Sequence, residues 1–242
     1  MASTSIEWTD KTWNPVTGCT KISLGCTNCY AEVMARRLKG MGQRKYINGF
    51  SLTIHEEDLE EPLKWEKPQN IFVCSMSDLF HENVPFSFID KVMKIIQLTP
   101  WHKYQLLTKR AERMSEYFQS RDVPKNVWLG VTVEAQTYKN RIDFLRILKA
   151  PIRFLSCEPL IEDLGKLNLK NIDWVIVGGE SGVRARPMKE EWLLSIKEQA
   201  EKQNCAFFFK QWGTWGNDGV KRNKHINGKL INGKVYQTIP DK

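Results

Sequence analysis

The chain has 242 residues, 41% hydrophobic and 26% charged, a composition that fits one large or two small globular domains and excludes disordered and fibrous classes. No stretch approaches the roughly eighteen uninterrupted apolar residues of a membrane span, and residues 1–8 lack the basic and apolar regions of a signal peptide, so a cytoplasmic, reducing location away from the membrane is expected. A formal net charge of +8 favours an anionic partner and leaves nucleic acid, nucleotide and phosphorylated substrate open.

In chain order, residues 5–18, with Trp8, Trp13 and Pro15, read as a short strand or extended lead-in. A cysteine-rich loop follows, then a helix over 30–38 stopped by Gly40 and Gly42. Residues 43–53 are turn-rich, 50–54 suits a strand, and 58–65 a short helix interrupted by Pro62. From there the pattern is regular. Apolar runs at 71–74, 104–107, 127–131, 152–155, 174–177 and 206–209 alternate with helical patterns over 86–98, 111–118, 136–148 and 190–202. Short buried strands alternating with helices predict β/α units on a parallel sheet. Six or seven units suit a partial (β/α) barrel, over residues 1–211, better than a closed eight-fold one. Residues 212–242 carry Asn227-Gly228 and Asn232-Gly233, both hairpin signals, and read as a glycine-rich hairpin tail on the surface.

Half of the six cysteines, Cys19, Cys26 and Cys29, fall within eleven residues. The Cys26-x-x-Cys29 pair lets two sulfurs converge on one metal or cluster, and glycines at 18 and 25 let the chain bring back a third. Three is informative, because structural zinc is almost always closed by four ligands and three leave a position open. The residues alone leave three readings: an iron-sulfur cluster, zinc completed by a distant ligand, or no metal. Cys74 and Cys205 sit in or near apolar strands and are expected to be inert, with Cys157 intermediate.

Chemistry in parallel β/α architectures is built where strands end. The residues there are polar: Ser75, Ser77, Asp78 and His81 after the run at 71–74, then Lys109 and Arg110, Glu134, Glu158, the Gly178-Gly179-Glu180 segment, and Lys210. Together they predict one polar pocket. The competing reading is helix capping, which favours Ser, Asp and Glu in first turns whatever the function; it suits Ser77, whereas Glu158 and Glu180 suit a pocket. Gly178-Gly179 permits close backbone approach to a ligand, and His81 fits either a ligand or base, or a structural role.

Three cysteines ending in Cys-x-x-Cys at the head of a partial β/α barrel resemble the radical S-adenosylmethionine (radical SAM) superfamily. More closely, the segments 12–19, 75–80, 157–159, 178–182, 185–187 and 208–213 are similar to the phage-associated three-cysteine-motif proteins, a radical-SAM-like family, over nearly the whole chain. The resemblance implies a [4Fe-4S] cluster on Cys19, Cys26 and Cys29, with S-adenosyl-L-methionine on the open iron. It further implies a 5′-deoxyadenosyl radical that abstracts hydrogen from a substrate, and an electron donor. On the residues above, Glu158, Glu180 and Lys210 are expected to be catalytic, and Ser75, Asp78, Lys109, Glu134, Gly178 and Gly179 to bind the cofactor. The expected activity is modification or repair of a nucleic acid or nucleotide. The alternative is a non-catalytic iron-sulfur or zinc protein that binds nucleic acid in a mobile element. Two departures from the superfamily stand out: the interval between Cys19 and Cys26 is wider than usual, and Gly178-Gly179-Glu180 follows a late strand. Expected phosphate contacts are Lys109, Arg110, Arg184, Arg186, Lys221, Arg222 and Lys224, with Trp212 and Trp215 either stacking on bases or pinning the tail.

Overall fold

The computed structural model describes residues 4 and 6–240; positions 1–3, position 5 at the start of the lead-in, and 241–242 lie outside the described residues. Seven strands form one hydrogen-bonded sheet in the order β1-β4-β5-β6-β7-β8-β9, with β1 and β9 at its edges. They are β1 (Lys11–Trp13), β4 (Asn70–Val73), β5 (Lys103–Thr108), β6 (Val127–Thr132), β7 (Ile152–Cys157), β8 (Trp174–Gly178) and β9 (Ala206–Gln211). The fold is α/β, of the partial (β/α)-barrel class that the alternation predicts. No helix among the described residues is long and apolar enough to cross a membrane.

The chain divides into two compact units, the first comprising residues 1–22, 29–130 and 148–151. Here β1 pairs in parallel with β4 (Lys11 opposite Ile71), and β4 with β5 (Asn70 opposite Lys103). Two-residue strands β2 (Val16–Thr17) and β3 (Thr53–Ile54) form a small antiparallel ladder. Helix α1 (Tyr30–Gly40) follows the cysteine loop, and α2 (Phe86–Leu98) and α3 (Ala111–Gln119) follow β4 and β5. In α2 the periodic residues Phe88, Ile89, Val92, Met93, Ile95 and Ile96 are all buried, which makes one apolar face with about 1.5–3 kcal/mol of hydrophobic stabilisation for each fully buried side chain. Trp13 is fully buried, and its indole N–H donates to the Asp58 carbonyl at 2.9 Å, satisfying its polar atom. Residues 58–65 form 3-10 turns, Glu56–Asp58 and Glu61–Lys64, instead of a helix, since Pro62 cannot supply an interior helical N–H.

The second unit comprises residues 23–28, 131–147 and 152–242. β7 pairs in parallel with β8 (Phe154 opposite Trp174) and β8 with β9 (Trp174 opposite Ala206); a register shift between Val177 and Gly178 sets Gly178 opposite Gln211. Helix α5 (Glu190–Lys202) has the predicted bounds. The helix expected over 136–148 is instead a 3-10 turn, Gln136–Tyr138, and a short α4 (Arg141–Arg146). Side chains of this segment tie it to its surroundings: Gln136 and Lys139 donate to the carbonyls of Asp163, Leu164 and Lys166, and Arg141 reaches back to the Thr132 carbonyl.

In the tail, one hairpin signal is fulfilled and the other overturned. Asn232 and Gly233 both adopt left-handed φ, 49° and 76°, and Ile231 and Lys234 exchange backbone hydrogen bonds of 2.9 and 3.0 Å across them, as a primed turn requires. Asn227 instead ends a one-turn helix, α6 (Lys224–Asn227), because Asn223 accepts the His225 N–H and caps its start. Near the chain end, Phe209 N–H donates to Tyr236 and Thr238 N–H to Phe207, so the tail bonds to β9.

Candidate functional site

In the first unit the chain enters the cysteine loop through Gly18. Its φ of +76° is left-handed, and a Cβ there would stand 2.2 Å from the Ser51 carbonyl oxygen, so the position requires glycine. Gly18 N–H donates to Met76, the Ser77 hydroxyl donates back to Gly18, and Cys19 N–H donates to Phe50. Ser77 thus holds the loop rather than capping a helix. Arg110, two residues past β5, lies with Nη1 3.6 Å from the Cys19 sulfur. The same guanidinium meets Asp78 Oδ2 at 3.2 Å, Glu82 Oε2 at 2.7 Å and Thr20 Oγ1 at 2.8 Å. Burial opposes the charge on Arg110, but Asp78 and Glu82 outweigh it and hold the group more firmly protonated than usual. Glu82, against its own desolvation, is pulled down to about 2 by Arg110.

Asp78 is itself saturated, accepting from Thr108 Oγ1 (2.7 Å), Phe80 N–H (3.0 Å) and Lys109 N–H (3.2 Å) besides Arg110. His81 is fully buried. Its Nδ1 accepts the Asn83 N–H, so Nε2 carries the proton and donates to Thr20 Oγ1 at 2.9 Å. Burial first, and then Arg110, push its pKa down, and the ring serves as a neutral fastening for Thr20. Ser75 donates to Asn14 Oδ1 at 3.2 Å, and its carbonyl accepts the Tyr30 hydroxyl. Cys29 stands at the N-cap of α1.

In the second unit, Cys26 ends the 3-10 turn Leu24–Cys26, its sulfur 3.4 Å from Ser23 Oγ. Two carboxylates reach residues 23–28. Glu134, fully buried just past β6, accepts from the Ser23 hydroxyl and from Gly25 N–H at 3.3 Å, and pairs with Arg141 at 2.9 Å. A Cβ on Gly25 would stand 2.9 Å from that carboxylate. Glu180 accepts from Arg186 through Nη2 (2.6 Å), Nε (2.9 Å) and backbone N–H (2.8 Å), and from Asn28 Nδ2 at 3.1 Å. Its burial would raise its pKa, but the Arg186 bonds prevail and lower it. Arg186 Nη1 also donates to the Leu24 carbonyl at 3.0 Å.

Glu158 pairs with Lys210 at 3.0 Å and accepts from Ser156 Oγ at 3.3 Å. The Gly178-Gly179 pair makes room for protein groups: a Cβ on Gly178 would lie 2.6 Å from Glu158 Oε1, and one on Gly179 1.8 Å from the Trp212 carbonyl oxygen. The tail tryptophans are pinned, Trp212 Nε1 donating to Leu230 and Trp215 Nε1 to Ala185. Of the expected phosphate contacts, Arg110 and Arg186 are occupied by carboxylates, Arg222 by Asp218, and Lys221 by the Val183 carbonyl.

The six cysteines are all free thiols; 19, 26 and 29 are half-buried and 74, 157 and 205 buried. Among the described residues no three His, Cys, Asp or Glu side chains are gathered as a metal-ion site, so the fit to a cluster rests on donor chemistry: three partly exposed thiols outside any disulfide. Sequence reasoning named Arg110 and Arg186 only as phosphate contacts, where the structure pairs them with Asp78 and Glu180, and it missed Arg141, Thr20 and Asn28. For Arg141 and Arg186 the signal was an arginine in the stretch that follows a strand-end carboxylate, Glu134 and Glu180.

A family model described as a protein of unknown function (DUF5131) matches residues 3–240. No curated protein sequence matches the chain. Among solved structures, a spore photoproduct lyase variant is similar at 12% identity and a TM-score of 0.49, over 83% of this chain and 63% of that one. A spore photoproduct lyase variant with bound AdoMet and dinucleoside spore photoproduct is similar at 11% identity and a TM-score of 0.47, over 79% and 61%. This chain thus spans about 60% of the length of those proteins, and a likeness of this degree assigns no activity.

Proposed function

The chain belongs to the DUF5131 family of proteins of unknown function, and from that premise we propose that it is a radical SAM enzyme acting on a nucleic acid or nucleotide. The observation that carries the reading is three half-buried free thiols within eleven residues, at the head of a seven-stranded β/α fold. In this proposal Cys19, Cys26 and Cys29 hold a [4Fe-4S] cluster, which when bound supplies one electron for reductive cleavage of S-adenosylmethionine to a 5′-deoxyadenosyl radical.

The chain's own residues have separable tasks. Arg110, fixed by Asp78 and Glu82, keeps a permanent positive charge beside Cys19 and favours an anionic thiolate shell there. Ser75 and Lys109, at the ends of β4 and β5, are assigned to S-adenosylmethionine. Glu158 and Lys210 are assigned to the substrate: Lys210 Nζ holds a proton 3.0 Å from Glu158 Oε1, and among the described residues Glu158 accepts one further hydrogen bond, from Ser156, so it has lone pairs left for a sugar or phosphate hydroxyl. Gly178 keeps the space that carboxylate occupies. An anionic substrate suits the net charge of +8 and the side chains of Lys109, Arg184 and Lys224, which make no hydrogen bond or ion pair among the described residues.

The test is anaerobic reconstitution with iron and sulfide, reduction, and mass spectrometry of the products. The expected result is 5′-deoxyadenosine formed from S-adenosylmethionine, faster when an oligonucleotide substrate is present. A colourless protein that retains zinc and forms none overturns the reading.

A further inference from the structure

Counting hydrogen bonds separates the strand-end carboxylates into two kinds. A carboxylate offers about four acceptor sites. Glu180 has all of them filled, three by Arg186 and one by Asn28. Glu134 accepts from Ser23, Gly25 and Arg141 and is fully buried. Glu180 has no room for a ligand without giving up a charge-assisted bond, and Glu134 is closed to one by its burial. What they do touch is one six-residue piece of chain. From the loop after β6, Glu134 takes Ser23 and Gly25, and the Tyr138 hydroxyl accepts the Leu24 N–H at 3.0 Å. From the loop after β8, Glu180 takes Asn28, Arg186 takes the Leu24 carbonyl, and the Arg184 carbonyl accepts from Asn28 at 2.8 Å.

We infer that Glu134 with Arg141, and Glu180 with Arg186, form a two-armed clamp whose task is to position residues 23–28, and Cys26 with them, rather than to bind S-adenosylmethionine or substrate. The assignment rests on the proposed cluster for its purpose, but the clamp is a property of the protein alone. Short 3-10 turns have poor internal hydrogen bonding, and Leu24–Cys26 gains its order from outside, through side chains anchored on two strands. Groups that hydrogen-bond the chain around a metal ligand set how firmly that ligand holds its metal. Gly25 belongs to the device, since any Cβ there would press on the Glu134 carboxylate.

The experiment compares the full chain with Arg186→Met and Glu134→Gln, using Arg222→Met as a control that breaks another arginine–carboxylate pair of the same unit. In metal-free protein, hydrogen exchange of the peptide spanning 23–28 is expected to accelerate roughly tenfold in both clamp variants, with peptides of β9 and the control unchanged. In iron-loaded protein, a chelator is expected to strip iron roughly tenfold faster, and the electron paramagnetic resonance spectrum of the reduced cluster to shift. Restoring the charge with Arg186→Lys should recover part of each effect. Unchanged exchange at 23–28, or exchange that rises equally in β9, overturns the clamp. So does a loosened 23–28 segment with wild-type iron retention and spectrum. If the unmodified protein takes up no iron at all, the cluster reading falls, and the exchange result alone decides whether the clamp exists.

Discussion

Cys19, Cys26 and Cys29 sit half-buried on a polar loop, whereas Cys74, Cys157 and Cys205 are 3%, 0% and 5% exposed in or beside strands. One residue type thus has two physical fates in one chain. Burial pushes the Cys205 thiol up to about 12 and raises those of Cys74 and Cys157 as well, because a thiolate inside apolar surroundings is poorly solvated. Two of the loop cysteines have polar neighbours instead, the Arg110 guanidinium beside Cys19 and the Ser23 hydroxyl beside Cys26, while Cys29 stays half-buried at the edge of an apolar cluster around Ala31 and Ala35. Position in the fold, more than the cysteine itself, decides which thiols are available for chemistry.

The largest effect that sharpens this contrast is in reactivity. Alkylation of native metal-free protein near pH 8 is expected to modify Cys19, Cys26 and Cys29 on the order of a hundredfold faster than the buried three, since the thiolate is the nucleophile; peptide mass spectrometry reads the ratio. Equal rates would erase the distinction.

Next comes the polar frame of the loop. Glu134→Ala leaves the largely buried Arg141 without its carboxylate, and should cost about 3–5 kcal/mol in denaturant unfolding, while Arg222→Met, breaking an exposed pair, should cost less than about 1 kcal/mol. A similar small loss in both would mean that Glu134 holds nothing together.

Smaller effects separate the two triplets by stability. Cys157→Ser places a hydroxyl at a fully buried site and should cost about 1–3 kcal/mol if it stays unpaired, whereas Cys29→Ser in metal-free protein should change stability by less than about 0.5 kcal/mol.

A further effect is with pH. Folded Cys205 keeps its proton up to about 12, while the unfolded thiol releases it near the ordinary value of about 8.5. Between those values the native state binds more protons than the unfolded state, so stability should fall as pH rises through this window. Cys205→Ala should flatten that part of the curve in urea titrations from pH 8 to pH 11, and an unchanged slope would count against burial as the cause.

The sheet was legible because its strands are short apolar runs: the expected 174–177 and 206–209 became Trp174–Gly178 and Ala206–Gln211, and α2 kept its bounds because its stripe repeats at helical spacing. The strand-end carboxylates were legible as positions, but their partners were not. Arg186 lies six residues beyond Glu180 and Arg141 seven beyond Glu134, in loops that follow no period, and only tertiary structure shows which donor reaches which oxygen. Asn227-Gly228 misled for a local reason, the cap from Asn223.

The central claim, that the loop triplet holds a four-iron cluster, is tested most directly by counting iron and sulfide per chain after anaerobic reconstitution of the wild type and of each single cysteine-to-alanine variant. The account predicts about four irons in the wild type and in the variants at 74, 157 and 205, with cluster loss at 19, 26 and 29; a full complement in Cys26→Ala would contradict it.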